Sequence, residues 1–213
     1  MSTLVFGRGR AVAQTRSLAM SADGQLVVCV KEGLSLAAFD ASGHNLFEVP
    51  LEGRDGRAAI SKDGSFILAL CGDFREVPSG GALFAFAADG TLLWRSVLPT
   101  KFSCFSMSAD ASLIVAGSPD RHLYAFHRDG RPQWSYEAGD WVLFAEVSSG
   151  AGLVVAGAGP HDETIYAFDH AGRLQMRHPA RGVIRTVSTT ADGRRVAVGA
   201  GDRTLFVLDQ LER

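Results

Sequence analysis

The sequence predicts an all-β protein built from repeated antiparallel four-stranded units, and three observations carry that prediction. A short turn phrase recurs along the chain. Apolar runs of four to seven residues follow it at fixed offsets. A second phrase, LFAFAADGTLLW at residues 83–94, returns as LYAFHRDGRPQW at 123–134 and IYAFDHAGRLQM at 165–176.

The turn phrase reads Ser21-Ala-Asp-Gly24, Ser61-Lys-Asp-Gly64, Ser108-Ala-Asp-Ala111, a degenerate Ser148-Ser-Gly-Ala151 and Thr190-Ala-Asp-Gly193. The runs after it are QLVVCV, SFILAL, SLIVAG, GLVVAG and RRVAVG, short and rich in β-branched and aliphatic residues. Such runs, bounded by Asp-Gly and other Gly-containing turns, carry the strand-and-hairpin signature rather than the helical period. The second phrase ends its apolar run at Phe39, Phe86, Phe126, Phe168 and Leu208, with steps of 47, 40, 42 and 40 residues. A period in this range marks a repeat architecture.

Each unit reads as four strands. In the third they are A around 102–108, B around 113–117, C around 123–127 and D around 133–136. Four-stranded antiparallel units of this length, stacked about an axis, make a β-propeller, in which each twisted sheet covers its neighbour. Phe39, Phe86, Phe126 and Phe168, with Phe47, Trp94 and Trp134, supply the bulk expected where blades diverge away from the axis. Small residues such as Ala19, Ala59 and Ser106 occupy strand A, nearer to it. The expected ring has five blades in a single domain, 1–213, with repeats at about 15–54, 55–100, 101–140, 141–181 and 182–213 plus 2–7. The N-terminal strand STLVFG completes the last blade: Phe6 precedes Leu18 by 12 residues, close to the 11 between Trp94 and Phe105 and between Trp134 and Ala145. Pairing both free edges in this way removes a template for aggregation.

Composition excludes some function classes. A formal net charge of −2 and 21% charged residues give no pull toward nucleic acid or anionic membrane. No segment has the run of about 18 apolar residues of a membrane span, and the N-terminal stretch lacks a signal-peptide core, so a cytoplasmic location is expected. Cys29, Cys71 and Cys104 lie in or beside apolar runs without CxxC spacing, and are expected to be buried reduced thiols.

The phrase LYAFxxDGxxxW preceded by SxDGxxxVxG resembles the quinoprotein-like, PQQ-type repeats and, more loosely, the WD-repeats. The resemblance spans nearly the whole chain and implies a propeller fold. The quinoprotein dehydrogenases are longer eight-bladed rings with calcium, pyrroloquinoline quinone and often adjacent cysteines. This chain has no vicinal Cys pair and too few repeats, and it lacks the Trp-Asp dipeptide of WD-repeats. No cofactor and no metal are expected.

The repeated turn acids Asp23, Asp63, Asp110 and Asp192 are expected to accept backbone hydrogen bonds, as are Asp73, Asp120, Asp162 and Asp202 between strands B and C. The B-to-C loops and D-to-A connections lie at one end of the blades, where loops on a rigid scaffold present function. The candidate interaction rim comprises Arg54, Arg57, Phe74, Arg75, Glu76, Lys101, Asp140, Trp141, His161, Asp162 and Arg181. Phe74, Arg75 and Glu76 belong to a second unit lengthened by seven residues relative to the 40-residue step. Glu146 stands in strand A where other units have Ala19, Ala59 and Ser106, and is the candidate for an axial channel.

No convergent acid, base and nucleophile set is visible, and no phosphate loop or nucleophile elbow. The expected function is therefore a non-catalytic interaction module, a protein-binding scaffold or assembly subunit. The alternatives are a small-ligand or carbohydrate-binding propeller and, less favoured, a hydrolase using Glu146. The expected partner is another protein, with neither nucleic acid nor membrane.

Overall fold

The computed structural model describes residues 15–53, 55–72, 81–98, 102–150 and 152–209, which form nineteen β-strands and no helix. The chain divides into two compact units, residues 1–99 and 100–213.

In the first unit, β1 (Thr15–Met20), β2 (Leu26–Lys31), β3 (Ser35–Asp40) and β4 (Asn45–Pro50) form one sheet, and β5 (Asp55–Ile60), β6 (Phe66–Gly72), β7 (Gly81–Ala87) and β8 (Leu92–Leu98) another. In the second unit, β9 (Cys104–Met107), β10 (Leu113–Gly117), β11 (His122–His127) and β12 (Pro132–Glu137) form a sheet. It is followed by one of β13 (Val142–Val147), β14 (Val154–Ala158), β15 (Thr164–Phe168) and β16 (Leu174–Pro179). A three-stranded sheet of β17 (Ile184–Thr189), β18 (Arg195–Ala200) and β19 (Leu205–Asp209) ends the described residues. Every pairing is antiparallel between chain neighbours, the form of a propeller blade. Residues 2–7, expected to supply a strand to the last sheet, lie outside the described residues, as does the lengthened loop of the second unit.

The second strand of each four-stranded sheet is buried on both faces, which is why it reads as a solid apolar run: β6, β10 and β14 are buried throughout, whereas β18 of the three-stranded sheet alternates. The outer strands β4 and β16 alternate exposed and half-buried residues. Within each unit neighbouring sheets pack face to face. Val28, Val30 and Leu36 meet Ile67, Ala69 and Phe84 in the first unit. In the second, β10 and β11 side chains meet Val154, Tyr166 and Phe168, and those of β14 and β15 meet Val196, Val198 and Ile184.

The two repeated phrases correspond to two repeated local structures. In the A-to-B turn the Ser108 hydroxyl donates to Asp110 Oδ1 (2.7 Å) and accepts the Leu113 N–H (3.1 Å), while Asp110 Oδ1 accepts the Ser112 N–H. The same three bonds recur at Ser21/Asp23, Ser61/Asp63 and Thr190/Asp192, and Ser148 keeps the bond to the Leu153 N–H where its own acid is missing. The turns also tie neighbouring sheets together, with the Ala22 N–H donating to Lys62 O and the Ala109 N–H to Ser149 O.

The second phrase encodes strand C, a bulge, a turn and strand D. Register shifts fall at Ala38/Phe39, Ala85/Phe86, Ala125/Phe126 and Ala167/Phe168, on the Ala-Phe of each copy. Beyond the bulge, strand D sends an aromatic ring onto the C-to-D turn of the next sheet. Trp134 lies over Gly172 and donates its indole N–H to His170 O at 3.0 Å, and Phe47 lies over Gly90. Phe47 and Trp134 thus fill space between neighbouring sheets within their units, as the sequence predicts for them.

Candidate interaction surface

The end of the sheets that carries the B-to-C hairpins and the D-to-A connections is knitted by backbone bonds. In the second unit the Ala138 N–H donates to Arg121 O, the Ala180 N–H to Glu163 O and the Gly201 N–H to Val183 O. Each connection is thereby fastened to a hairpin, and loop residues between these points are held on a fixed base.

Aspartates supply the rest of this framework. Asp120 Oδ1 accepts the His122 N–H (2.9 Å), and its Oδ2 accepts the Tyr124 hydroxyl (2.8 Å). Asp162 takes the Tyr166 hydroxyl at 2.6 Å and the Thr164 hydroxyl at 2.9 Å, with Arg177 at 3.3 Å. Burial first, and then donation to the carboxylate, pushes both tyrosine hydroxyls to higher pKa. The Tyr166 oxygen in turn accepts the Gly139 N–H. A Cβ on Gly139 would sit 2.7 Å from Asp162 Cγ, so only glycine lets the connection approach the hairpin this closely. Asp140 is buried and accepts the His161 N–H at 2.9 Å.

The sequence-derived candidates therefore separate. Asp140, His161 and Asp162 come together, but both carboxylates are engaged in holding the loops. Trp141, next to buried Asp140, is 52% exposed. Arg181 is exposed on the following connection, in the left-handed region (φ 53°). Arg57 was expected on a connection; it instead lies inside β5, opposite Leu70, because the pairing of the first and second strands begins at Asp55. Arg54, Phe74, Arg75, Glu76 and Lys101 lie outside the described residues.

Glu146 is on β13, half-buried and opposite Val155. Burial raises its pKa. In β9 the corresponding residue is Ser106, whose hydroxyl accepts the Val147 N–H at 3.1 Å. Glu146 thus introduces a charge where the neighbouring strand uses a neutral hydroxyl. Among the described residues no group of three His, Cys, Asp or Glu side chains is placed to hold a metal ion.

Two features of this end were not anticipated from sequence. Tyr124 and Tyr166 reach back to the acids four residues before them, a spacing visible as DRHLY and DETIY. Arg121, Glu163 and Arg203 each follow a hairpin Asp with positive φ (75°, 45° and 72°), where glycine is the usual residue.

A repeat family described as outer membrane protein assembly factor BamB, of the PQQ type, matches residues 35–202. The chain belongs to this family. The match begins at β3 and runs to the last hairpin, so the PQQ-type repeat covers sheets of both units. No curated protein matches the chain. No helix among the described residues is long and apolar enough to cross a membrane.

Proposed function

We propose that this PQQ-type repeat protein is a non-catalytic interaction module that binds another protein through the hairpin-and-connection end of its sheets. The observation that carries the reading is Trp141, a large exposed aromatic on a connection fixed by the Asp140–His161 bond and by the fastened loops around it. Exposed aromatics and arginines on rigid supports are typical anchors of protein interfaces. Arg181 adds a cation on the neighbouring connection. The family description, an outer membrane protein assembly factor, names a protein that acts in assembly and favours a scaffold over an enzyme.

In the same proposal the five sheets are five blades of one ring, closed by residues 2–7 pairing with β19. Support comes from the three-stranded last sheet and from apolar residues left uncovered on the first and last sheets: Leu18 and Met20 on β1, Leu205 and Val207 on β19. Closure would bury them. Deleting residues 1–14 is expected to lower the melting temperature and cause self-association; an unchanged monomer of unchanged stability would overturn the closure. A cytoplasmic location is also proposed, supported by the buried free thiols of Cys29 and Cys71. The family description points to the cell envelope as the alternative, and fractionation with an antibody decides.

The functional test is capture by the tagged chain beside a Trp141→Ala/Arg181→Ala variant, with melting curves of both. A stoichiometric partner held by the parent and lost by an equally stable variant is the expected result. The same partner retained by both would move the interface elsewhere.

A further inference from the structure

Between β16 and the A-to-B and C-strand ends of the last sheet lies a cavity of about 360 Å³. It is at the opposite end of the sheets from Trp141 and stands independently of the reading above. Its origin is a local change in the repeat. At the preceding sheet interface Trp134, opposite Ala125, packs on Phe168 with ring centroids 5.8 Å apart, and the indole covers Gly172. At the cavity the corresponding residues are Met176, opposite Ala167, and Leu208, opposite Val196. Two rings have been replaced by a thioether and an aliphatic side chain, and among the described residues a cavity lies beside them.

The walls are mixed: Leu153, Val196, Leu208 and Met176 give an apolar part, and Asp169, Arg173, Gln175, Arg194 and Asp209 a polar one. The acids nearby are already engaged. Asp169 accepts the Ala171 and Arg173 N–H groups and the Gln175 amide, and Asp209 accepts Arg195 Nε at 2.8 Å. Among the described residues the Arg173 guanidinium has no ion pair, and that of Arg194 reaches Asp192 only at 3.9 Å. Guanidinium groups beside the apolar part of the wall favour a carboxylate attached to the group that packs there. The volume lies in the range of small-molecule sites.

We propose that this cavity binds an aromatic ring carrying a carboxylate, a ligand that restores the ring the repeat has lost and pairs with Arg173 and Arg194. The probe is N-acetyl-L-tryptophan, with N-acetyl-L-tryptophanamide as its neutral counterpart, read by calorimetry and by melting temperature on the full chain. The acid is expected to bind and stabilise the protein, at least tenfold more tightly than the amide. Arg173→Ala/Arg194→Ala should bring the acid down to the level of the amide. Met176→Trp should abolish the response to both by filling the slot, with Leu208→Phe as the second filling variant should the first fail to fold. No response to the acid, or an equal response in a folded filling variant, would overturn the proposal. So would a response that emerges only after residues 210–213 are removed, because the slot would then belong to the chain's own tail.

Discussion

Trp134 lies so close over Gly172 that a Cβ on the glycine would fall 2.5 Å from the indole ring. Gly172 also has φ 81°, so a side chain there meets both a clash and an unfavourable backbone. Gly172→Ala is expected to destabilise the protein by about 2 kcal/mol or more. Trp134→Ala, which empties the same interface, should cost about 3 kcal/mol. The two losses should be far from additive in chemical denaturation, because the ring that clashes with the new methyl is absent from the double variant.

Ser108 is buried and serves as donor to one group and acceptor to another. Ser108→Ala leaves the buried Leu113 N–H without its partner and is expected to cost about 1–3 kcal/mol. Ser148→Ala, at the turn lacking the acid, should cost less. Urea midpoints of the two variants make the comparison.

Hydrogen bonds hold several turn aspartates below their ordinary pKa: Asp23 through the Ser21 hydroxyl, Asp110 through the Ser112 N–H and Asp192 through the Thr190 hydroxyl. A carboxylate depressed in the folded state stabilises it above the unfolded value of about 3.9, and that contribution disappears as pH falls through the lower folded value. Stability should therefore fall below about pH 4. Asp110→Asn should flatten part of that fall, as seen by urea titrations across the acid range.

Glu146 has the opposite sign. Burial raises its folded pKa, so the ionised form opposes folding at neutral pH, and the penalty vanishes as pH falls below the unfolded value of about 4.3. Glu146→Gln should raise the melting temperature at neutral pH and leave it unchanged in acid. A lower melting temperature at neutral pH would show that the carboxylate is paired with a cation.

Arg203 is exposed and holds φ 72° in the last hairpin. Arg203→Gly is expected to stabilise by about 0.5–1 kcal/mol through relief of the left-handed backbone, net of the added freedom of the unfolded chain. Arg203→Ala, which keeps the Cβ, should change nothing. Thermal melts of the pair separate backbone from side-chain effects.

The sequence by itself determined the strands, because each is a local matter of alternation and turn chemistry. LIVAG became β10 at the residues expected, and Ser108, Asp110 and their counterparts form turns whose bonds span no more than five residues. The hairpin acids Asp120, Asp162 and Asp202 were legible for the same reason. Only the tertiary structure decided what remains free on the surface. Asp140, Asp162 and Trp141 look alike as loop residues, yet the carboxylates are engaged by His161, Tyr166 and Thr164 while the indole faces outward. The cavity beside Met176 was likewise hidden, because a Trp-to-Met change within a repeat is unremarkable until the neighbouring sheet shows that, among the described residues, a cavity lies beside it. Partners more than 20 residues apart, such as Gly139 with Tyr166 or Trp134 with Gly172, are brought together by packing, which spacing along one strand cannot encode.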